Sequence, residues 1–175
     1  MLEVIENTAR MAGPHHILKQ DRAKKMRIFL VDDNVKFLET ASRYLQMFPG
    51  FEIVGWSTSG QKGLDEIQAA KPDVVIMDLI MPGFNGIEAT RKLRQQSAGT
   101  KVIIVSFQDG PEYKAKAEAS GADGFFSKMD FCEKVIPFIH GLRRSVGGDL
   151  QRKVNETPKG DVQYYEEYKG IQKKI

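Results

Sequence analysis

Five short apolar runs punctuate the chain, at 26–31, 52–56, 73–78, 101–106 and 123–127. Two of them, Ile28-Phe29-Leu30-Val31 and Val74-Val75-Ile76-Met77, are continuous rather than alternating. That is the signature of strands covered on both faces. Between the runs, side chains recur at helical spacing. The sets are Leu38, Ala41, Leu45 and Phe48, then Leu64 and Ile67, then Ile87, Thr90 and Leu93, and finally Phe131, Val135, Phe138 and Leu142. Strands alternating with helices predict an α/β domain built on five parallel strands and five helices. The run at 52–56 is the least regular and is expected at a sheet edge.

Turn residues set the boundaries. Lys71-Pro72-Asp73 stops a helix ahead of the third strand, because proline disfavours helical geometry in the residue before it. Pro82-Gly83 turns the chain just past Asp78, and Gly121 is placed to end a helix before the fifth strand. Asp130 followed by Glu133 resembles a capping box for the last helix. Pro137 falls inside that helix and is expected to bend it, since it removes a backbone donor.

Three carboxylates and one lysine stand at the ends of these runs. Asp32-Asp33 follows the first, Asp78 ends the third, and Lys128 follows Phe125-Phe126-Ser127 in the fifth. Open parallel sheets bind ligands in the crevice outside the carboxyl ends of their strands, so a shared sheet brings these four residues together. Three acids in one crevice repel each other and call for a cation.

Composition narrows the setting. The 175 residues suffice for one domain with tails, and 41% hydrophobic with 28% charged residues suits a globular chain. A net charge of +3 without a basic block argues against direct nucleic-acid binding by this chain. The Arg143-Arg144 pair suits a helix end, where cations complement the macrodipole. Cys132 is the sole cysteine, which excludes an intrachain disulfide and fits a reducing compartment. No run approaches the roughly 18 apolar residues of a membrane span, and the N-terminus lacks the apolar core of a secretory signal. A cytoplasmic protein without membrane association is expected. Residues 1–24 read as a flexible polar extension and 25–146 as the domain. Residues 147–175 read as a polar tail with no recognisable effector domain, in which Tyr164, Tyr165, Tyr168 and Ile171 fall on one helical stripe.

Four motifs carry a resemblance to a known family: Val31-Asp32-Asp33-Asn34, Asp78-Leu79-Ile80-Met81-Pro82-Gly83, Val105-Ser106, and Gly121-Ala122-Asp123-Gly124-Phe125-Phe126-Ser127-Lys128. In this order, over roughly 26–146, they resemble the response-regulator receivers of two-component signalling. The resemblance implies a flavodoxin-like doubly wound sheet of order 2-1-3-4-5 with helices on both faces. It implies a phosphoacceptor rather than an enzyme, with Asp78 taking a phosphoryl group from a histidine kinase or phosphotransfer protein. It also implies a Mg²⁺ ion on Asp33 and Asp78 directly, on Asp32 through water and on the backbone carbonyl of Ile80. Hard oxygen ligands suit that ion. Lys128 and Ser106 would meet the phosphoryl oxygens, and Ser106 with Phe125 would form the switch that alters the output face, recruiting a partner or a second copy.

Two departures from the family pattern bear on rate and output. Phe107 follows Ser106 where a small residue is usual, so it is expected to narrow the path to Asp78; rates in Phe107→Ala test this. Met129 follows Lys128 in place of the common proline, and Lys-Met-Asp resembles receivers that precede LuxR-type DNA-binding domains. The alternatives are therefore the receiver portion of such a transcriptional regulator, or an interaction module that works without phosphorylation. A Mg²⁺-dependent phosphatase with an Asp nucleophile needs an acid two residues on, where this chain has Ile80. Isoleucine also cannot hold an attacking water, so a slow loss of the phosphoryl group is expected.

Overall fold

The structure, a computed structural model, describes residues 24–144. Five strands form one parallel sheet: β1 (Met26–Val31), β2 (Phe51–Ser57), β3 (Val74–Asp78), β4 (Lys101–Ser106) and β5 (Gly124–Ser127). Their spatial order is β2-β1-β3-β4-β5. Side chains alternate between the two faces, as the period of two requires. Ile28, Leu30, Val74, Ile76, Ile103 and Val105 join one buried cluster, while Phe29, Val31, Val75, Met77, Val102 and Ile104 join another. Both faces are apolar, so continuous apolar runs are what the sheet demands.

Helices cover each face. The first cluster takes Leu38, Ala41 and Leu45 from α1 (Val35–Gln46) and Ile136 and Ile139 from α5 (Ile136–Arg144). The second takes Leu64 and Ile67 from α2 (Gly60–Ala70), Ala89 and Leu93 from α3 (Gly86–Gln96) and Ala117 from α4 (Pro111–Ala119). Ala117 is the sole buried residue of α4, so that helix has no apolar stripe to betray it. Phe48 lies past the end of α1 yet packs in the first cluster.

Strand β2 sits at the edge, as expected, and its irregularity has a cause. The β1–β2 register shifts at Ile28/Phe29, so that Val54 is an extra residue. Gly55 fits opposite because a Cβ there would lie 2.6 Å from the Phe29 ring. The turn readings hold. Lys71 adopts a left-handed conformation at φ 48° ahead of Pro72, and Gly83 and Gly121 have φ 77° and 91°.

The last helix departs from expectation. Asp130 caps nothing with its side chain; its carboxylate instead accepts from Lys134 Nζ at 2.7 Å. The chain is already helical there, because a 3₁₀ turn at Lys128–Asp130 runs directly into a π-helical turn at Phe131–Val135. The side chain that caps this stretch is Ser127, which accepts from Met129 N at 3.3 Å. Pro137, where a bend is expected, stands in the first turn of α5 directly after that π turn. The extension before Lys24 and the tail at 147–175 lie outside the described residues.

Candidate functional site

Parallel pairing places the carboxyl ends of β1, β3, β4 and β5 on one edge of the sheet. There the chain brings together Asp32 and Asp33 just past β1, Asp78 closing β3, Ser106 closing β4 and Lys128 just past β5. Asp33, Asp78, Ser106 and Lys128 line an open cleft of about 470 Å³, together with Asn34, Ile80, Phe107 and Gln108. All the predicted site residues except Asp32 and Phe125 line this cleft. Asp32 lies beneath it, fully buried, and Phe125 packs half-buried against the α3–α4 side of the sheet.

Lys128 is the hub. Its ammonium lies 2.5 Å from Asp32 Oδ2 and 2.8 Å from Asp78 Oδ1, and all three side chains are almost inaccessible. The backbone fixes the other carboxylate oxygens: Asp32 Oδ1 accepts from Asn34 N at 2.9 Å, and Asp78 Oδ2 accepts from Ile80 N at 2.9 Å. Ser106 is buried, and its Oγ accepts from Gln108 N at 3.0 Å. Ile80 thus enters the site through its N–H, while its side chain is exposed.

Three carboxylates face one ammonium, leaving two negative charges uncompensated. Burial pushes the Asp78 carboxyl up to about 6, with Lys128 opposing and the charges of Asp32 and Asp33 adding to the rise. Burial likewise raises Asp32, against the pull of Lys128. One oxygen from each of the three acids lies within 4.8 Å of the others. An oxygen-only, charge-deficient donor set of this kind fits a hard divalent cation such as Mg²⁺.

Acids at the opposite edge of the sheet are satisfied instead. Asp123 accepts from Lys101 Nζ at 2.9 Å, from Val102 N at 2.8 Å and from Arg94. Burial works against its charge, yet these partners outweigh it and hold its carboxyl below the usual range. Asp73 Oδ2 accepts from Arg27 N at 2.9 Å. Asp123 has two cations to itself, whereas Asp32 and Asp78 share one, which separates a site from a set of structural pairs.

Three further residues shape the site. Asn34 accepts from Phe37 N at 3.1 Å and so starts α1 directly behind the acid pair. Phe37 places its ring centroid 4.5 Å from Lys128 Nζ. At Gly86 a Cβ would lie 2.1 Å from the backbone oxygen of Asp78, so the start of α3 packs against the main-chain carbonyl of Asp78. Asn34 was legible as a cap signal, an Asn just before a periodic stretch. The roles of Phe37 and Gly86 arise from contacts across 91 and 8 positions and have no local signal.

Comparison with known proteins defines the class. The profile described as response regulator receiver domain matches residues 28–135, and the chain belongs to that family. It is 36% identical over 121 residues to the transcriptional regulatory protein DegU of Brevibacillus brevis, covering 69% of this chain and 51% of the relative. It is 30% identical over 131 residues to the nitrate/nitrite response regulator protein NarL of Escherichia coli, covering 75% of this chain and 59% of the relative. The chain therefore spans little more than half the length of these relatives. Among solved structures, the signal receiver domain of the putative response regulator NarL from Mycobacterium tuberculosis superposes with a TM-score of 0.65 at 28% identity, covering 69% of this chain and 98% of that one. No helix among the described residues is long and apolar enough to cross a membrane.

Proposed function

We propose that this receiver is a cytoplasmic phospho-switch in which Asp78 accepts a phosphoryl group from a histidine kinase or phosphotransfer protein. The observation that carries this is the single buried ammonium shared by Asp32 and Asp78 at the carboxyl edge of the sheet. An Asp78 oxygen forms a bond to phosphorus while the donor's P–N bond breaks. The electron pair leaves with the imidazole nitrogen, which takes a proton, and an aspartyl-phosphate remains. Asp33 and Asp78 would hold Mg²⁺ directly, with Asp32 acting through water and the Ile80 carbonyl as a further ligand. The bound ion supplies the positive charge that lets a carboxylate meet a phosphoryl group.

The chain's own residues do the rest. The Ile80 N–H keeps one Asp78 oxygen turned into the cleft. Lys128, a compact ammonium on a flexible stem, follows the phosphoryl oxygens. Ser106 turns its hydroxyl from Gln108 N to the new group, and Phe125 takes up the space released, which re-sorts the population between two packings of β4, α4 and β5. Residues 25–146 form this unit, flanked by 1–24 and 147–175. Beryllofluoride with Mg²⁺ tests the reading: it should bind wild type and fail on Asp78→Asn. Failure on wild type would favour a module that works without phosphorylation. The apolar Ile80 side chain gives water no hold beside Asp78, so the phosphoryl group should persist for minutes or longer; loss within seconds in purified protein contradicts this.

The 36% identity to a transcriptional regulatory protein favours a second reading of the output, in which this receiver controls a DNA-binding element. A gene continuing past the codon for Ile175 into a helix-turn-helix segment would support it. A stop codon there would favour output by contact with a partner or a second copy.

A further inference from the structure

At least four groups hold Lys128. Two are the carboxylates of Asp32 and Asp78. Two more are aromatic, with the Phe37 ring centroid 4.5 Å and the Phe107 ring centroid 5.2 Å from the ammonium. A ring face carries negative electrostatic potential and attracts a cation within about 6 Å. The two rings are mounted differently. Phe37 is buried in the first turn of α1 and braced edge-on by Phe131 at 5.6 Å. Phe107 stands on the residue after β4, lines the cleft and is 41% exposed. Burial does not account for a large apolar ring at the mouth of an acidic cleft, whereas the ammonium beneath it gives that ring an attractive partner.

We propose that Phe107 is a positioning residue for Lys128: the face of its ring closes the outer side of the ammonium and keeps its donors turned toward Asp78. The proposal rests on the reading of Lys128 as the cation that meets the phosphoryl group. Lysine brings a point charge on four rotatable bonds, so its direction must come from its surroundings. Phe37 supplies the fixed wall and Phe107 the outer one. Phe107 touches no reacting atom and acts only through Lys128. Its ring also keeps water from that side of the Lys128–Asp78 pair, which strengthens their attraction.

Leucine and tyrosine at 107 separate bulk from ring face, and because the position is exposed, both variants should fold. In the full chain without Mg²⁺ or phosphate, lysine-labelled NMR reads the Lys128 ε-methylene shifts and the hydrogen exchange of its ammonium, assigned by the signal missing in Lys128→Met. Wild type and Phe107→Tyr should show ring-shifted ε-protons and slow exchange. Phe107→Leu should lose part of that shift and exchange about three-fold faster. With Mg²⁺ and phosphoramidate, Phe107→Leu should be phosphorylated about three-fold more slowly and Phe107→Tyr close to wild type. A Leu variant with the wild-type spectrum, a Tyr variant as perturbed as Leu, or a Leu variant phosphorylated as fast as wild type or faster would each overturn the proposal. If no variant, wild type included, accepts phosphate, the phosphoacceptor reading fails, and the spectra alone still decide whether Phe107 places Lys128.

Discussion

Two aspartates of one sheet illustrate how position decides what a carboxylate does. Asp78 is buried with too few cations, and its carboxyl is raised to about 6. Asp123 is surrounded by donors and lowered. The signs of their contributions to stability are opposite. A raised carboxyl binds its proton more tightly in the folded chain, so Asp78 opposes folding above about 6 and ceases to do so as pH falls toward the ordinary carboxylate value. Asp78→Asn should therefore stabilise the metal-free protein by about 2 kcal/mol at pH 7, with the gain shrinking on acidification from 7 to 5 and phosphorylation abolished. Urea melts at both pH values check this, and a destabilised variant would contradict it. Asp123 stabilises above the unfolded carboxylate value and loses that contribution as pH falls through its lowered folded value. Asp123→Asn should lower the urea midpoint at pH 7, and the deficit should narrow below pH 4. A sequence shows both residues as an aspartate beside an apolar run. The end of the strand on which each falls tells them apart, and that much was legible. Which cation serves which acid was not, because Lys128, Arg94 and Lys101 reach their partners across long separations.

At the level of elements, the strands and four of the helices were legible because burial writes its period into the chain. The exceptions have specific causes. Helix α4 buries only Ala117, so it leaves no stripe. Asp130 and Glu133 have the spacing of a capping box, but the chain is already coiled at Lys128, so the box has no helix start to close. Gly86 reads as a weak helix residue, yet α3 begins there because nothing larger fits against Asp78. Alanine would ordinarily gain some stability at a helical position. Here its Cβ would meet a backbone oxygen at 2.1 Å, and backbone cannot swing aside as a side-chain tip can. Overpacking of this kind costs about 1–3 kcal/mol. Gly86→Ala should therefore lower the urea midpoint by an amount corresponding to about 2 kcal/mol and slow phosphorylation of Asp78, whose carbonyl must shift. A variant at least as stable as wild type would show that α3 can recede without cost.

The whole molecule sorts its charges by sheet edge. At the amino ends of the strands Asp73 and Asp123 are paired, and that edge closes the fold. At the carboxyl ends three acids share Lys128, and that edge stays short of positive charge. The deficit is tolerated because two apolar clusters, one on each face of the sheet, carry the stability. It follows that a divalent cation should act as a stabilising ligand of the folded state alone, since the unfolded chain cannot assemble the three acids. Mass action then gives about 2.7 kcal/mol at a free Mg²⁺ concentration one hundred times the dissociation constant. The melting temperature should climb with Mg²⁺, return to its starting value with EDTA, and respond less below pH 6, where a proton competes for Asp78. In Asp33→Asn the rise should shrink, since the exposed acid is the one able to meet an ion from solvent without breaking a pair to Lys128. An equal thermal response to Mg²⁺ in wild type and in Asp33→Asn would mean that the ion acts elsewhere, and the uncompensated edge would then need another explanation.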